Sequence, residues 1–245
     1  MFRSGNPALR ADTFQTGVRE LGGGAMTLDG AVNKTGISLV ILMACAALQW
    51  NQVFGDLAPL VMALGVFGGF ILALVTTFKK EWAPVTTPLY AALEGLLLGG
   101  ISLTFEARYP GIVMNAVGLT FGTLAALLLA YRSGLVRATE SFKLGVFAAT
   151  GAIGLLYFVS IVLGVFGFRM AFLHQGTPIG ILFSLAVVVI AALNLVLDFD
   201  FIERGAAMGA PKYMEWYAAF GLLVTLVWLY LEMLRLLAKL QDRRR

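Results

Sequence analysis

Seven long apolar runs divide the chain, and nothing else in it limits the possible folds so sharply. They extend from Gly36 to Trp50, Leu57 to Phe78, Pro88 to Phe105, Gly111 to Tyr131, Leu144 to Phe168, Pro178 to about Phe201, and about Tyr213 to Leu240. About 20 apolar residues cross a bilayer core of roughly 30 Å as an α-helix. All but the short first run reach or approach that length. Transmembrane strands would need alternation in segments of about ten residues, which these continuous runs do not show. In lipid a helix satisfies its own backbone polar groups. The expected fold class is therefore all-α: a polytopic membrane protein with a seven-segment domain over residues 32–241. A polar, Gly-rich tail (1–31) precedes it and a short basic tail (242–245) follows.

Composition and charge narrow the functions. The 245 residues are 59% hydrophobic and 13% charged, against about 25% charged in soluble domains. The net charge is +4, but its bases sit in short clusters between apolar runs, where they set topology and do not bind nucleic acid. Cys45, the one cysteine, lies in an apolar run, so no intramolecular disulfide is possible. No compact apolar stretch lies near Met1, which argues against a cleavable signal peptide.

Loop charge predicts the orientation. Arg3, Arg10, Arg19, Lys34, Lys79, Lys80, Arg132, Arg137, Lys143, Arg204 and Lys212 fall on one side, and only Arg108 and Arg169 on the other. That bias predicts a cell (inner) membrane protein with a cytoplasmic N-terminus. Arg235, Lys239 and the arginines 243–245 resist it, because seven full crossings put them outside. Either the last segment does not cross fully or the tail is tolerated there. Small residues four apart, Gly95 with Gly99 and Gly118 with Gly122, predict close helix approach.

Charges within spans are rare and cost about 2.5–3.5 kcal/mol each on insertion scales, so Glu94, Asp198 and Glu232 stand out. Asp198 lies near the end of its span, where the negative end of the helix dipole disfavours an acid; a base, a proton or a cation should compensate. Lys79 and Lys80 leave the membrane on the same side. Asp200 and Glu203 read as interfacial acids, and Glu232 with Arg235 forms an i,i+3 pair able to neutralise itself. Whether Asp198 meets Glu232 depends on where the seventh helix begins. Entry at Tyr213 puts Glu232 about 28 Å deep, far from Asp198. If PKYMEWYAAF lies along the interface and the span begins near Gly221, Glu232 drops to about 16 Å, within a turn or two of Asp198.

The stretches LEGLLLGGIS, LDFDFIERG and TLVWLYLEMLRLLAKL, in that order at the third, sixth and seventh spans, resemble the Bax inhibitor-1 family of multi-pass membrane proteins, in particular its bacterial branch. The resemblance implies six helices around a central seventh and a pH-sensitive leak of cations, calcium above all. It also implies an aspartate ending the sixth span that pairs with an acid in the seventh, with protonation governing opening. Asp198 matches the first, with Ile202 four residues on. Tyr230-Leu231-Glu232 resembles the family's aromatic-Leu-Asp, although an alignment through Arg235 puts Leu229 at that place. Leu197 stands where the family often has Tyr. On this reading Asp198 and Glu232 form the pH sensor and the site for Ca²⁺, which is the permeant ion and not a cofactor. Glu94, Asp200, Lys79, Lys80 and Arg235 are the candidate pathway or partner residues.

Two carboxylates in a low-dielectric chamber titrate as a unit. Losing their shared proton leaves repelling charges that wet a path and attract a cation with a preference for oxygen ligands. The competing expectation, also implied by the resemblance, is a regulator that restrains a membrane partner such as a protease or a cell-death effector. An enzyme is not expected. His174 is the single histidine, there is no H-E-x-x-H for zinc, and no G-x-S-x-G or phosphate-cradling loop appears. A proton-coupled transporter fits the acids, but no pair of broken helices marks a substrate site.

Overall fold

Each apolar run becomes one helix. The structure, a computed structural model, describes residues 24–168 and 176–243. The tail with Arg3, Arg10 and Arg19, the loop with Arg169 and His174, and the last two arginines lie outside the described residues. The helices are α1 (Leu28–Trp50), α2 (Ala58–Phe78), α3 (Ala83–Arg108), α4 (Ile112–Arg132), α5 (Glu140–Val165), α6 (Pro178–Ala207) and α7 (Met214–Asp242). All seven are long and apolar enough to cross a membrane. The protein is an all-α, multi-pass membrane protein, and among the described residues the only β-pairing is an isolated bridge between Ala25 and Pro211.

Local chemistry sets the helix ends, and several outrun the apolar runs. α1 starts at Leu28 and not at Gly36, because the Thr27 hydroxyl accepts from the Gly30 N–H and caps the first turn. Thr139 caps α5 and Thr177 caps α6 in the same way. α7 starts at Met214, so all of PKYMEWYAAF after Tyr213 is continuous with the last helix and is not a separate interfacial segment. It forms the entry of a continuous 29-residue helix, about 43 Å long at 1.5 Å per residue. The last segment is thus one unbroken helix, long and apolar enough to cross a membrane.

The core is built on α7. Half of its most apolar stretch is buried, against 6% for α5. Leu222, Leu226, Leu229 and Leu234 of α7 pack with Leu195 and Phe199 of α6 and with Ile112 of α4. A second contact joins Tyr90 of α3 edge-on to Phe220, their ring centroids 5.1 Å apart. α1, α3, α4 and α6 surround α7, whereas α2 packs on α3 and α5 on α6. The central seventh helix is thus present, with four helices touching it along their length and two farther out. Since lipid is as apolar as a leucine side chain, close van der Waals fit must hold such a bundle together. Gly95 and Gly99 provide it. A Cβ on either would run into the α1 backbone, at the carbonyls of Leu42 and Ala46. The Gly118–Gly122 expectation fails: both are exposed, and a Cβ on either meets nothing within 4 Å.

Cross-helix contacts fix the register. Thr87 donates to the Trp216 carbonyl at 3.1 Å, Ser102 and Tyr230 share a hydrogen bond of 2.6 Å, and Tyr109 donates to Asp242 at 2.6 Å. α3 and α7 therefore run side by side in the same direction. α6 runs the opposite way, with Ser184 level with Lys239 at 2.7 Å and Asp198 level with Gly221.

Candidate functional site

The register separates the two acids that the sequence pairs most readily. Asp198 projects from α6 toward α7 at Gly221, where a Cβ would stand 3.9 Å from its Oδ1. The Thr225 hydroxyl, one turn on, lies beside Asp198 and donates to the Gly221 carbonyl at 3.2 Å. Glu232 lies seven residues beyond Thr225, a rise of about 10 Å. It has its own partners. Arg235 Nη1 approaches Glu232 Oε1 at 2.6 Å, and the Tyr157 hydroxyl of α5 donates to the same oxygen at 3.0 Å. Asp198 and Glu232 are therefore not partners of each other in the structure; each has its own surroundings on α7. Among the described residues no three His, Cys, Asp or Glu side chains group closely enough to hold a metal ion. The physical reason lies at the start of α7: entry at Met214, not near Gly221, carries Glu232 past the level of Asp198.

That early entry is held by an acid the sequence reading passes over. Glu215, in the first turn of α7, is fully buried and is reached by Lys212 Nζ at 2.7 Å, Lys34 Nζ at 3.1 Å, and the Thr27 N–H and hydroxyl at 3.0 and 2.9 Å. Gly30 packs directly on this carboxylate, where a Cβ would collide with it. Lys34 also lies 5.9 Å from the Trp216 ring centroid. Two signals for this hub were present in the sequence: the i,i+3 spacing of Lys212 and Glu215, and Thr27 as an N-cap ahead of a helix. Their convergence was not legible, since 188 residues separate Thr27 from Glu215.

The remaining candidates fall into two groups. Asp200 is a structural pin, since Lys143 of α5 approaches it at 2.8 Å and Arg204 at 2.9 Å; Glu203 accepts from Tyr131 of α4. Lys79 and Lys80 are exposed, and Lys80 lies 5.2 Å from the Tyr217 ring centroid. Neither is an ion-pair partner of Asp198. Glu94 is different. It faces Gly69 of α2, where a Cβ would come 3.1 Å from its Oε2. It lies one turn past Tyr90, which packs on Phe220, so it sits at about the depth of Asp198 on another helix.

What distinguishes Asp198 is an orphaned atom. Among the described residues its buried Oδ2 has no hydrogen-bond partner and no base pairs with the carboxylate. A buried carboxylate left in that state must hold a proton, admit water or take a cation. Glu232 Oε2 and Glu215 Oε2 are also buried without a hydrogen bond, but each belongs to a carboxylate already paired with a base.

The model of the family described as Bax inhibitor 1 like matches the chain over residues 6–242. None of the curated proteins and none of the solved structures matches it.

Proposed function

Starting from the fact that the chain belongs to the Bax inhibitor 1 like family, we propose that it passes cations, calcium among them, through its bundle under control of the proton on Asp198. One observation carries this reading: the buried Asp198 Oδ2 atom, which among the described residues has neither a hydrogen bond nor a base paired with its carboxylate. Protonated, the carboxyl is neutral and α6 can stay packed on Gly221 and Thr225. Ionised, it leaves a bare charge in an apolar contact, a state relieved by the entry of water and of a cation that favours oxygen ligands. Opening therefore follows deprotonation, and flux should rise as pH rises. Glu94, at a similar depth, is assigned to the lining of the same route.

The test is Ca²⁺ entry into proteoliposomes across a pH series. Asp198→Asn, neutral at every pH, should give low flux that no longer responds to pH. Glu232→Gln should keep the pH response, because its native partners are Arg235 and Tyr157. Unchanged flux and an unchanged pH profile in Asp198→Asn would end the proposal. That result would favour the competing reading, a regulator of a membrane protease or stress effector, in which the buried acid has no part.

A further inference from the structure

Where α7 ends, opposite the Glu215 hub, a cleft of about 710 Å³ opens between α3, α5 and α7. α5 is packed along α6, not against α3, and reaches α7 through Tyr157. The cleft is graded along the bundle axis. Phe105 and Ile161 line it nearer the mid-membrane, and Ile161 is 68% exposed, so that wall faces lipid. Arg108, Lys239 and Asp242 line it at the helix ends.

Among the described residues its charge does not cancel. Arg235 is matched by Glu232 at 2.6 Å, and Arg108 faces Asp242 at 3.8 Å. Lys239 is only 5% exposed, yet among the described residues its ammonium meets only neutral acceptors, both on α6: the Gly180 carbonyl at 3.1 Å and the Ser184 hydroxyl at 2.7 Å. An ammonium has three donors, and a buried charge without a counter-charge is costly. Lys239 lies three residues before the last residue of α7, and Arg108 is the last residue of α3. Both therefore stand within about 5 Å of a helix end, the depth at which lipid phosphates sit when helices overreach a core of roughly 30 Å.

We propose that this cleft is a binding site for one anionic phospholipid of that leaflet, its phosphate held by Lys239 and Arg108 and an acyl chain lying along Phe105 and Ile161 between α3 and α5. Basic pockets between membrane helices suit anionic headgroups. The apolar, lipid-facing wall distinguishes a lipid phosphate from a free one. The inference does not depend on the role of Asp198.

The experiment measures the thermal unfolding midpoint of the full chain in phosphatidylcholine nanodiscs, with phosphatidylglycerol or with inorganic phosphate added. Phosphatidylglycerol should raise the midpoint by about 5 °C in the wild type, and inorganic phosphate should leave it unmoved. In Lys239→Met and in Arg108→Gln that rise should fall to less than half, while both variants remain folded in phosphatidylcholine alone. Arg108→Gln carries the test by itself if Lys239→Met does not fold, since the Arg108 side chain is 70% exposed. A full phosphatidylglycerol shift in the variants, or none in the wild type, overturns the site. An equal shift with inorganic phosphate overturns the lipid as its occupant.

Discussion

Glu215 shows how one buried charge can fix the geometry of a distant one. Its pairing with Lys34, Lys212 and Thr27 draws α7 into the bundle from Met214 onward, and every later residue of α7 takes its depth from that start. Gly30→Ala should lower stability by about 1–3 kcal/mol, because the added methyl displaces a carboxylate that three groups need. Glu215→Gln should cost a similar amount, and the double variant less than the sum, since both act on one contact. Chemical or thermal unfolding of the four proteins checks this; simple additivity would contradict it. At this scale the sequence is informative about which acids are unusual, because charges in apolar runs are costly. It does not say which acids meet. Asp198 and Glu232 are both visible as in-span carboxylates, but whether they face each other turns on a helix start seven residues earlier or later, and that start rests on a contact 188 residues away in the chain.

Helix pairing repeats the lesson. The spacing of Gly95 and Gly99 is identical to that of Gly118 and Gly122, but only the first pair lies between helices. Spacing reports that one face of a helix is smooth; it does not report which way that face turns. Gly95→Val should push α1 and α3 apart and cost about 1–3 kcal/mol, whereas Gly118→Val should leave the unfolding midpoint unchanged. Equal effects from the two would mean that the α1–α3 contact is not what holds the bundle. α5 differs from its neighbours in how little it buries. Its polar links include the Lys143–Asp200 ion pair at one end, the Asn194–Thr150 hydrogen bond midway and the Tyr157–Glu232 hydrogen bond farther along. Tyr157→Phe should therefore speed amide hydrogen exchange in α5 without a comparable change in α3.

For the molecule as a whole, the number of crossings and the all-α class follow from the lengths of the apolar runs alone, because lipid leaves the backbone no alternative. The sidedness of the last helix was open, since charge counting and crossing number pull its basic end in opposite directions. The structure puts the start of α1 and the start of α7 at one end, joined through Thr27 and Glu215, and Arg243 at the other. In a Cys45→Ser background, Asp29→Cys and Arg243→Cys should react with an impermeant thiol reagent from opposite faces of the membrane. Labelling from the same face would rule out a full crossing by α7. The Thr27–Glu215 clasp also bears on biogenesis. The ribosome releases α1 before α7, so Lys34 waits for its counter-charge, and α1, α3, α4 and α6 wait for the helix they surround, until α7 has been made. A nascent chain stalled before Met214 has every outer helix and no centre, and the membrane quality-control machinery can recognise it by that vacancy.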